Sequence, residues 1–318
     1  MNVLVIGSGA VGSFYGALLA KQGVEVSVLA RSDYDQVREH GIEIVSPLGN
    51  YHFRPHQVVR DAARLWRKPD YVLLCIKVVE AADRVGLLRD AVGPRTAIVL
   101  ICNGIDIERE IAAAFPDSEL ISGLAFICVT RTAPGHVWHQ AYGKLALGNY
   151  PQGASDKVQK LCSLFDAARI DCSPAADITA ARWQKCVWNA PFNPLSVLSG
   201  GLPTSDILAG QEALVRAIMA EVCAIATVSG HPLADDIIER NIDHTRTMPP
   251  YKTSMLLDFE AGRPMETEAI LGNAVRAGHW LGVPIPHLET VYGLMKLREA
   301  AIAGAHRPRP IRGDRPGG

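Results

Sequence analysis

The sequence predicts an α/β protein in which a Rossmann-type doubly wound sheet is followed by an all-helical C-terminal domain. A glycine-rich turn joins a short apolar strand to a helix, apolar strands then alternate with helical stretches, and from about residue 174 apolar residues recur at helical spacing. The 318 residues exceed the usual size of a single hydrophobic core, so two domains are expected. We place them at 1–172 and 173–305, followed by a Pro-, Gly- and Arg-rich tail at 306–318 that is predicted to be disordered.

The first strand and helix enclose a dinucleotide-binding motif. The stretch VLVIGSGAVGSFYGALLAKQG carries Gly7, Gly9 and Gly12 in G-x-G-x-x-G spacing between a β-branched run and a helical segment. The first glycine permits the tight turn, the second lets a pyrophosphate approach the backbone, and the third lets helix and strand pack. The free N–H groups of the helix start then face the phosphates. The predicted cofactor-binding residues here are Gly7, Ser8, Gly9, Ala10, Val11 and Gly12.

The second strand, EVSVLA, ends in Ala30 and Arg31 instead of a carboxylate. An acid at this place would accept hydrogen bonds from the adenosine ribose of NAD, whereas an arginine suits the 2′-phosphate of NADP. Because a guanidinium is a planar, permanently charged donor, Arg31 predicts NADP(H) as the cofactor, with Ser32 as a candidate further donor. Asp33 lies two residues past the strand end, a poor position for an NAD-type acid. The alternative is that Arg31 is an ordinary surface arginine.

The next elements follow from apolar runs and turn residues. A short polar helix is predicted near 33–40, and GIEIVSPLGNYHF predicts a hairpin around its Pro-Leu-Gly-Asn turn. Buried strands are predicted at 71–76, 97–101 and about 120–129. Since helical stretches separate these strands, the sheet is expected to be mostly parallel.

The intervening helices are predicted at 79–91 and 105–114. The run GHVWHQAYGKLALGN predicts two further strands around a glycine-containing turn, and SDKVQKLCSLFDAAR predicts a helix. Beyond residue 174 the apolar spacing is helical, which predicts the second domain.

Composition excludes several classes of partner. A formal net charge of −1 gives no indication of a nucleic-acid or membrane surface. The apolar runs at 71–76 and 97–102 are far shorter than the roughly 20 residues of a membrane helix. No secretory signal is visible, and seven scattered cysteines without a C-x-x-C pair are typical of reduced cytoplasmic thiols. We expect no metal site, a small-molecule substrate, and a cytoplasmic monomer or homodimer.

Lys185, Asn189 and Asn193 are spaced i, i+4, i+8, which would place all three on one face of a helix. Trp183, Val187 and Trp188 would supply apolar surface around the lysine, and partial burial would lower its pKa towards neutral. Such a lysine can protonate an oxygen that becomes an alkoxide when hydride reaches the carbon. The alternative is a solvated polar helix face.

Asn103 and Lys77 each follow a buried strand, at the edge where open α/β sheets bind ligands. Asn103 could equally be a turn residue before Gly104, and Lys77 could simply extend to solvent.

Six stretches in order resemble the ketopantoate reductase family, over residues 1 to about 300. They are GSGAVG, LARSDYDQVREHGIEIVSPLG, CIKV at 75–78, CNGID at 102–106, RWQKCVWNAPFNPLS at 182–196 and METEAILGNAVRAG at 265–278. The resemblance implies a cleft between a Rossmann domain and a helical domain, in which NADPH reduces 2-dehydropantoate to pantoate for pantothenate biosynthesis.

By position, the resemblance makes Lys185 the catalytic acid and Glu268 the acid that binds substrate. It implies substrate contacts from Asn103, Asn189, Asn193 and Ser254, and cofactor contacts from Asn103 and Lys77. One departure is Pro191, where family members usually carry another residue, because a proline could bend the helix between the two asparagines. Glu268 has an alternative explanation, since acids are favoured in the first turn of a helix.

Two other functions stay open at this point. One is a related NADP-dependent dehydrogenase acting on another 2-oxo acid, of the opine or aromatic type. The other is a non-catalytic NADP-binding protein with the same two domains.

Overall fold

The computed structural model describes residues 1–305 and confirms the predicted fold class, a Rossmann-type α/β domain followed by helices. The predicted tail at 306–318 lies outside the described residues. The described helices include none with the length and apolarity needed to span a membrane. In the same part of the chain, no three His, Cys, Asp or Glu side chains are grouped to hold a metal ion.

The described strands form one ten-stranded sheet in the order β4-β3-β9-β8-β7-β6-β1-β2-β5, with β10 paired to β9. The strands are β1 (Asn2–Ile6), β2 (Glu25–Leu29), β3 (Ile42–Val45), β4 (Tyr51–Phe53), β5 (Val58–Val59), β6 (Tyr71–Leu74), β7 (Ala97–Ile101), β8 (Leu120–Ala133), β9 (His136–Asn149) and β10 (Cys172–Pro174). The helices of this domain are α1 (Ala10–Lys21), α2 (Tyr34–His40), α3 (Arg84–Arg89), α4 (Arg109–Ala114) and α5 (Asp156–Ala167), with a 3-10 turn at Ala62–Arg64.

The strands β5, β2, β1, β6, β7 and β8 run parallel. Their central members are apolar and fully buried because helices cover both faces, as expected for a parallel sheet. The register aligns Ile6 with Leu29 and with Leu74, and Leu74 with Leu100. The segments that follow these strands therefore leave the sheet side by side at its carboxyl edge.

The predicted hairpin is confirmed, since β3 and β4 pair antiparallel. The prediction of two strands within GHVWHQAYGKLALGN is wrong, because His136–Asn149 is one continuous strand. The expected turn is a bulge, where Tyr142 adopts a φ of 63° and Gly143 a φ of 127°. Pairing with β8 on both sides of the bulge keeps the two halves in one strand.

The second domain packs around its own apolar core. Its helices are α6 (Ile178–Leu198), α7 (Thr204–Val228), α8 (Ile237–Thr247), α9 (Ser254–Glu260), a π-helical turn (Glu268–Gly272), α10 (Asn273–Leu281) and α11 (Pro286–Ala305). The last strand of the sheet, β10, straddles the boundary predicted at residue 172. Ile105, from the segment after β7, belongs to the helical core, so this segment joins the two domains.

Candidate active site

The glycine-rich loop lies between β1 and α1 at the carboxyl edge of the sheet. Gly7 has a φ of +105°, and a Cβ there would lie 2.8 Å from the carbonyl oxygen of Cys75, so only glycine fits this turn. A Cβ on Gly9, by contrast, would meet no described atom within 4 Å. The first turn of α1 carries no acidic side chain that would offset the positive end of the helix. The loop therefore offers open space and free N–H groups, which fit a pyrophosphate.

Arg31 follows β2 at the same edge and is exposed. Asp33 is buried, and its carboxylate accepts hydrogen bonds from Arg131 and from Ser32, the latter at 2.6 Å. Arg60 lies beside Arg31, bonding its carbonyl oxygen at 3.4 Å and stacking 4.2 Å from the ring centroid of Tyr34. Arg60 is ion-paired with Asp35 at 2.9 Å and Arg131 with Asp33, whereas Arg31 forms no ion pair among the described residues.

Lys185 lies on α6 and reaches across to the Rossmann domain. Its Nζ atom donates to Oδ1 of Asn103 and to the carbonyl oxygen of Ala125, both at 2.8 Å, and lies 5.3 Å from the ring centroid of Phe126. Burial, and then the charge of Arg182, lower the pKa of Lys185 to about 8, while Glu266 acts in the opposite direction. An ammonium has three N–H groups, so one remains without a partner among the described residues.

The amide of Asn103 is bonded at both ends, because its Nδ2 donates to Oε2 of Glu266 at 3.2 Å. The other oxygen of Glu266 accepts from the backbone N–H of Val78 at 3.0 Å. Glu266 is buried, although it is not among the site residues predicted from the sequence. The motif METE contains two acids, and sequence spacing alone did not decide which of them turns towards the sheet.

Glu268 has a different set of partners from Glu266. Its carboxylate accepts hydrogen bonds from Tyr292, Arg276 and Lys296 at 2.8–3.1 Å. Although partial burial acts to raise it, these bonds lower the pKa of Glu268 to about 2. No hydrogen bond joins Glu268 to Lys185 or Asn103 within the described part of the chain. The structure therefore does not bring the predicted acid to the lysine, and holds it in a surface ion cluster on α10 and α11.

Asn189 and Asn193 are both buried on α6, which stays helical through Pro191. Asn189 lines a small cavity together with Lys185, Gly104 and Leu124. The predicted common face thus brings Asn189 to the lysine.

A pair of hydrogen-bonded hydroxyl groups, from Ser196 and Thr253, links α6 near Asn193 to the start of α9 at Ser254. The carbonyl oxygen of Asn193 accepts from Ser196 at 2.8 Å, and Ser196 lies 2.7 Å from the hydroxyl of Thr253. Thr253 caps α9, of which the exposed Ser254 is the first residue.

Lys77 follows β6 and forms an ion pair with Asp258 of α9. Asp258 is buried and also accepts from Arg263 at 3.0 Å. Burial lowers the pKa of Lys77. The predicted cofactor residue thus lies at the carboxyl edge, where it bonds the helical domain.

Both domains of the chain match proteins of one known family. Residues 3–152 match the family model of ketopantoate reductase PanE/ApbA, and residues 177–299 match that of its C-terminal part. The crystal structure of 2-dehydropantoate 2-reductase from Methylococcus capsulatus is 65% identical, with a TM-score of 0.93, and the match covers 99% of this chain and 100% of that one. The 2-dehydropantoate 2-reductase of Nostoc sp. is 33% identical, covering 92% of this chain and 93% of the relative.

A more distant structure, of D-mandelate dehydrogenase with NADH and anilino(oxo)acetate, shares the fold with a TM-score of 0.85 at 20% identity. That match covers 95% of this chain and 99% of the other. The two family models and the two closer relatives together span both halves of the sequence. The chain therefore belongs to the ketopantoate reductase family of oxidoreductases.

Proposed function

We propose that this protein reduces 2-dehydropantoate to pantoate with NADPH, and that Lys185 donates the proton. The observation that carries the proposal is the Lys185 ammonium, which is held by Asn103 and Ala125 and has one N–H group left for a substrate oxygen. The names of the closer relatives support this substrate.

The glycine loop from Gly7 to Gly12 would hold the pyrophosphate, and Arg31 with Ser32 would hold the 2′-phosphate. The neighbouring Arg60 is ion-paired with Asp35, so Arg31 is the residue to which we assign the phosphate contact. When bound, the cofactor supplies the hydride that reaches the carbonyl carbon. Lys77 and Asn103 leave the sheet on adjacent strands next to this loop, which supports their proposed contacts with the cofactor.

Lys185 would transfer one proton to the 2-oxo oxygen as that oxygen gains negative charge. The lysine becomes neutral in this step and regains its proton from solvent. A pKa of about 8 keeps most of the lysine protonated at neutral pH and makes it a stronger acid than an ordinary lysine. Its hydrogen bonds to Asn103 and Ala125 fix the direction of the remaining N–H group.

Substrate recognition would come from the helical domain. Asn189, Asn193 and Ser254 can donate to the substrate carboxylate, and a buried carboxylate can accept from the 4-hydroxyl group. We assign the acceptor role to Glu266, because it is bonded to Asn103 beside the lysine, whereas Glu268 is saturated by three donors of its own domain.

The test is NADPH oxidation with 2-dehydropantoate, 2-oxoisovalerate and an aromatic 2-oxo acid. 2-Oxoisovalerate lacks the hydroxymethyl group, so the buried carboxylate of Glu266 would keep its bonds to Val78 and Asn103 but would lose the hydroxyl donor of the substrate. We expect kcat/KM to be lower by about 10³ or more for this analogue. Equal activity on the first two compounds would contradict the substrate assignment and favour a reductase of another 2-oxo acid. If none of the three compounds is reduced, the result would favour a non-catalytic NADP-binding protein.

A further inference from the structure

A buried ion pair lies one helical turn before Lys185. Arg182 of α6 and Glu108, which precedes α4, are each only 2% exposed, and the Nε atom of Arg182 donates to the Glu108 carboxylate. The hydroxyl of Ser122 on β8 accepts from Arg182 at 2.8 Å and donates to Glu108 at 2.5 Å. Burial of two charges is costly unless they are paired and hydrogen-bonded, and here the Oε1 atom of Glu108 accepts from both Arg182 and Ser122.

The remaining donors of Arg182 bind the backbone on both sides of Asn103. Its Nη1 atom donates to the carbonyl oxygen of Cys102 at 2.9 Å and to that of Gly104 at 3.1 Å. Its Nη2 atom reaches the carbonyl oxygen of Gly123 on β8 at 3.4 Å. The planar guanidinium thus spans the end of β7 and the neighbouring part of β8, a geometry that a lysine could not reproduce.

Lys185 contacts the same two segments as Arg182. The lysine bonds the side chain of Asn103, between the two carbonyl groups that Arg182 holds, and bonds Ala125, two residues beyond Gly123. Residues three apart lie on the same face of a helix, so both side chains project from α6 towards the strand ends.

From the other side, the π-helical turn holds the next residue of the same segment. The N–H of Ile105 donates to the carbonyl oxygen of Ala269 at 2.8 Å, and Asn273 donates to the carbonyl oxygen of Ile105 at 2.5 Å. The segment 102–105 is thus bonded from α6 and from the second half of the helical domain.

We propose that Arg182, with Glu108 as its counter-ion, is the positioning residue that fixes Asn103 against Lys185 at the domain junction. This inference rests on the proposed role of Lys185 as proton donor. The positive charge of Arg182 also opposes protonation of the lysine, and Glu266 is the acidic side chain that favours it. Arg182 therefore acts on both the place and the acidity of the lysine.

The first test is the series Arg182→Lys, Arg182→Met and the double variant Arg182→Met with Glu108→Leu. Arg182→Lys keeps the charge but loses the fork, so kcat should fall by about 10², the effect of a misplacement of about 1 Å, while the pKa of Lys185 stays low. Arg182→Met should lower kcat at least as much and raise the pKa of Lys185. It also leaves Glu108 buried without a counter-ion, so its thermal midpoint should fall.

The double variant separates positioning from folding. Removal of both charges should restore much of the thermal midpoint, because neither charge is left unpaired, yet kcat should stay low. Arg84→Met is the matched control, since Arg84 is a buried arginine that bonds Ile107 and Glu110 in the same region and, among the described residues, forms no hydrogen bond with the segment 102–105. We expect it to lose stability while kcat and the Lys185 titration stay as in the wild type.

The pKa of Lys185 is read by NMR of isotope-labelled lysine side chains, with the resonance assigned through Lys185→Arg. Recovery of both stability and kcat in the double variant, or an unchanged Lys185 titration in both Met variants, would overturn the proposal. Because the titration needs no substrate, it still decides the role of Arg182 if the wild-type chain reduces none of the 2-oxo acids. A wild-type chain that reduces none of the 2-oxo acids would overturn only the proposed function.

Discussion

The Nζ atom of Lys185 lies 2.8 Å from the Oδ1 atom of Asn103, although the two residues are 82 positions apart and belong to different domains. Glu266 bonds the other end of the amide, so the orientation of Asn103 is determined from both sides. The amide oxygen then faces the lysine, which donates to it.

Lys185→Ala should reduce kcat by about 10² to 10⁴, the usual effect of removing a positioned acid. NADPH affinity and the thermal midpoint should change little, since the hydrogen bonds of the lysine within residues 1–305 are the two to Asn103 and Ala125. Steady-state kinetics, cofactor titration by fluorescence and thermal unfolding check the three parts. A loss confined to KM would show instead that Lys185 binds substrate without donating a proton.

The rate of reduction should depend on the protonation of Lys185. Its pKa is lowered to about 8, and the protonated form is the active one, so kcat should be constant below that pH and fall as pH rises through about 8. The pH profile of kcat with saturating substrate and NADPH measures this decrease, which is the alkaline limb of the profile. Lys185→Arg, whose side chain stays charged, should remove the limb from the residual activity. A limb of unchanged position in that variant would assign it to another group.

Glu266 and Glu268 should behave differently when each is changed to glutamine. Glu266→Gln should lower kcat/KM by about 10² or more, because it loses the charged acceptor beside Asn103. Glu268→Gln should keep kcat/KM within a few-fold of the wild type. Equal kinetic effects of the two substitutions would show that the ion cluster of Glu268 also serves catalysis.

Glu268→Gln should also differ from the wild type in the pH dependence of its stability. The folded-state pKa of Glu268 is depressed to about 2, so its contribution is present above the ordinary carboxyl pKa and is lost as pH falls towards 2. Its side chain is 38% exposed, and we therefore expect only about 1 kcal/mol at neutral pH. Urea unfolding of wild type and Glu268→Gln at neutral and acidic pH measures the difference.

Arg31→Asp should raise the KM for NADPH at least about tenfold and change that for NADH much less. A charge-assisted hydrogen bond to phosphate contributes about 1.5 to 3 kcal/mol, and the new carboxylate would repel the phosphate. Arg95→Asp, an exposed arginine just before the amino end of β7, makes the same charge change away from the loop edge and is the control. An unchanged ratio of the two cofactors in Arg31→Asp would contradict the assignment of NADP.

The sequence by itself determined the local parts of this protein. Three features depend on residues that are neighbours along the chain. They are the glycine turn with its flanking strand and helix, the position of Arg31 just after β2, and the common helix face of Lys185 and Asn189. Turn geometry and helical periodicity are set within a few residues, so these features could be predicted without the fold.

Only the tertiary structure decided which acid bonds Asn103 beside the lysine. Glu266 lies just before the π-helical turn and bonds Val78 and Asn103, whereas Glu268 is the first residue of the turn and bonds side chains of α10 and α11. The hydrogen bond from Ile105 to the turn holds this segment against the sheet domain. The same holds for Arg182, whose partners at Cys102, Glu108 and Ser122 are 60 to 80 residues away. Contacts at such separations depend on how two domains pack, and neither residue spacing nor local propensity carries that information.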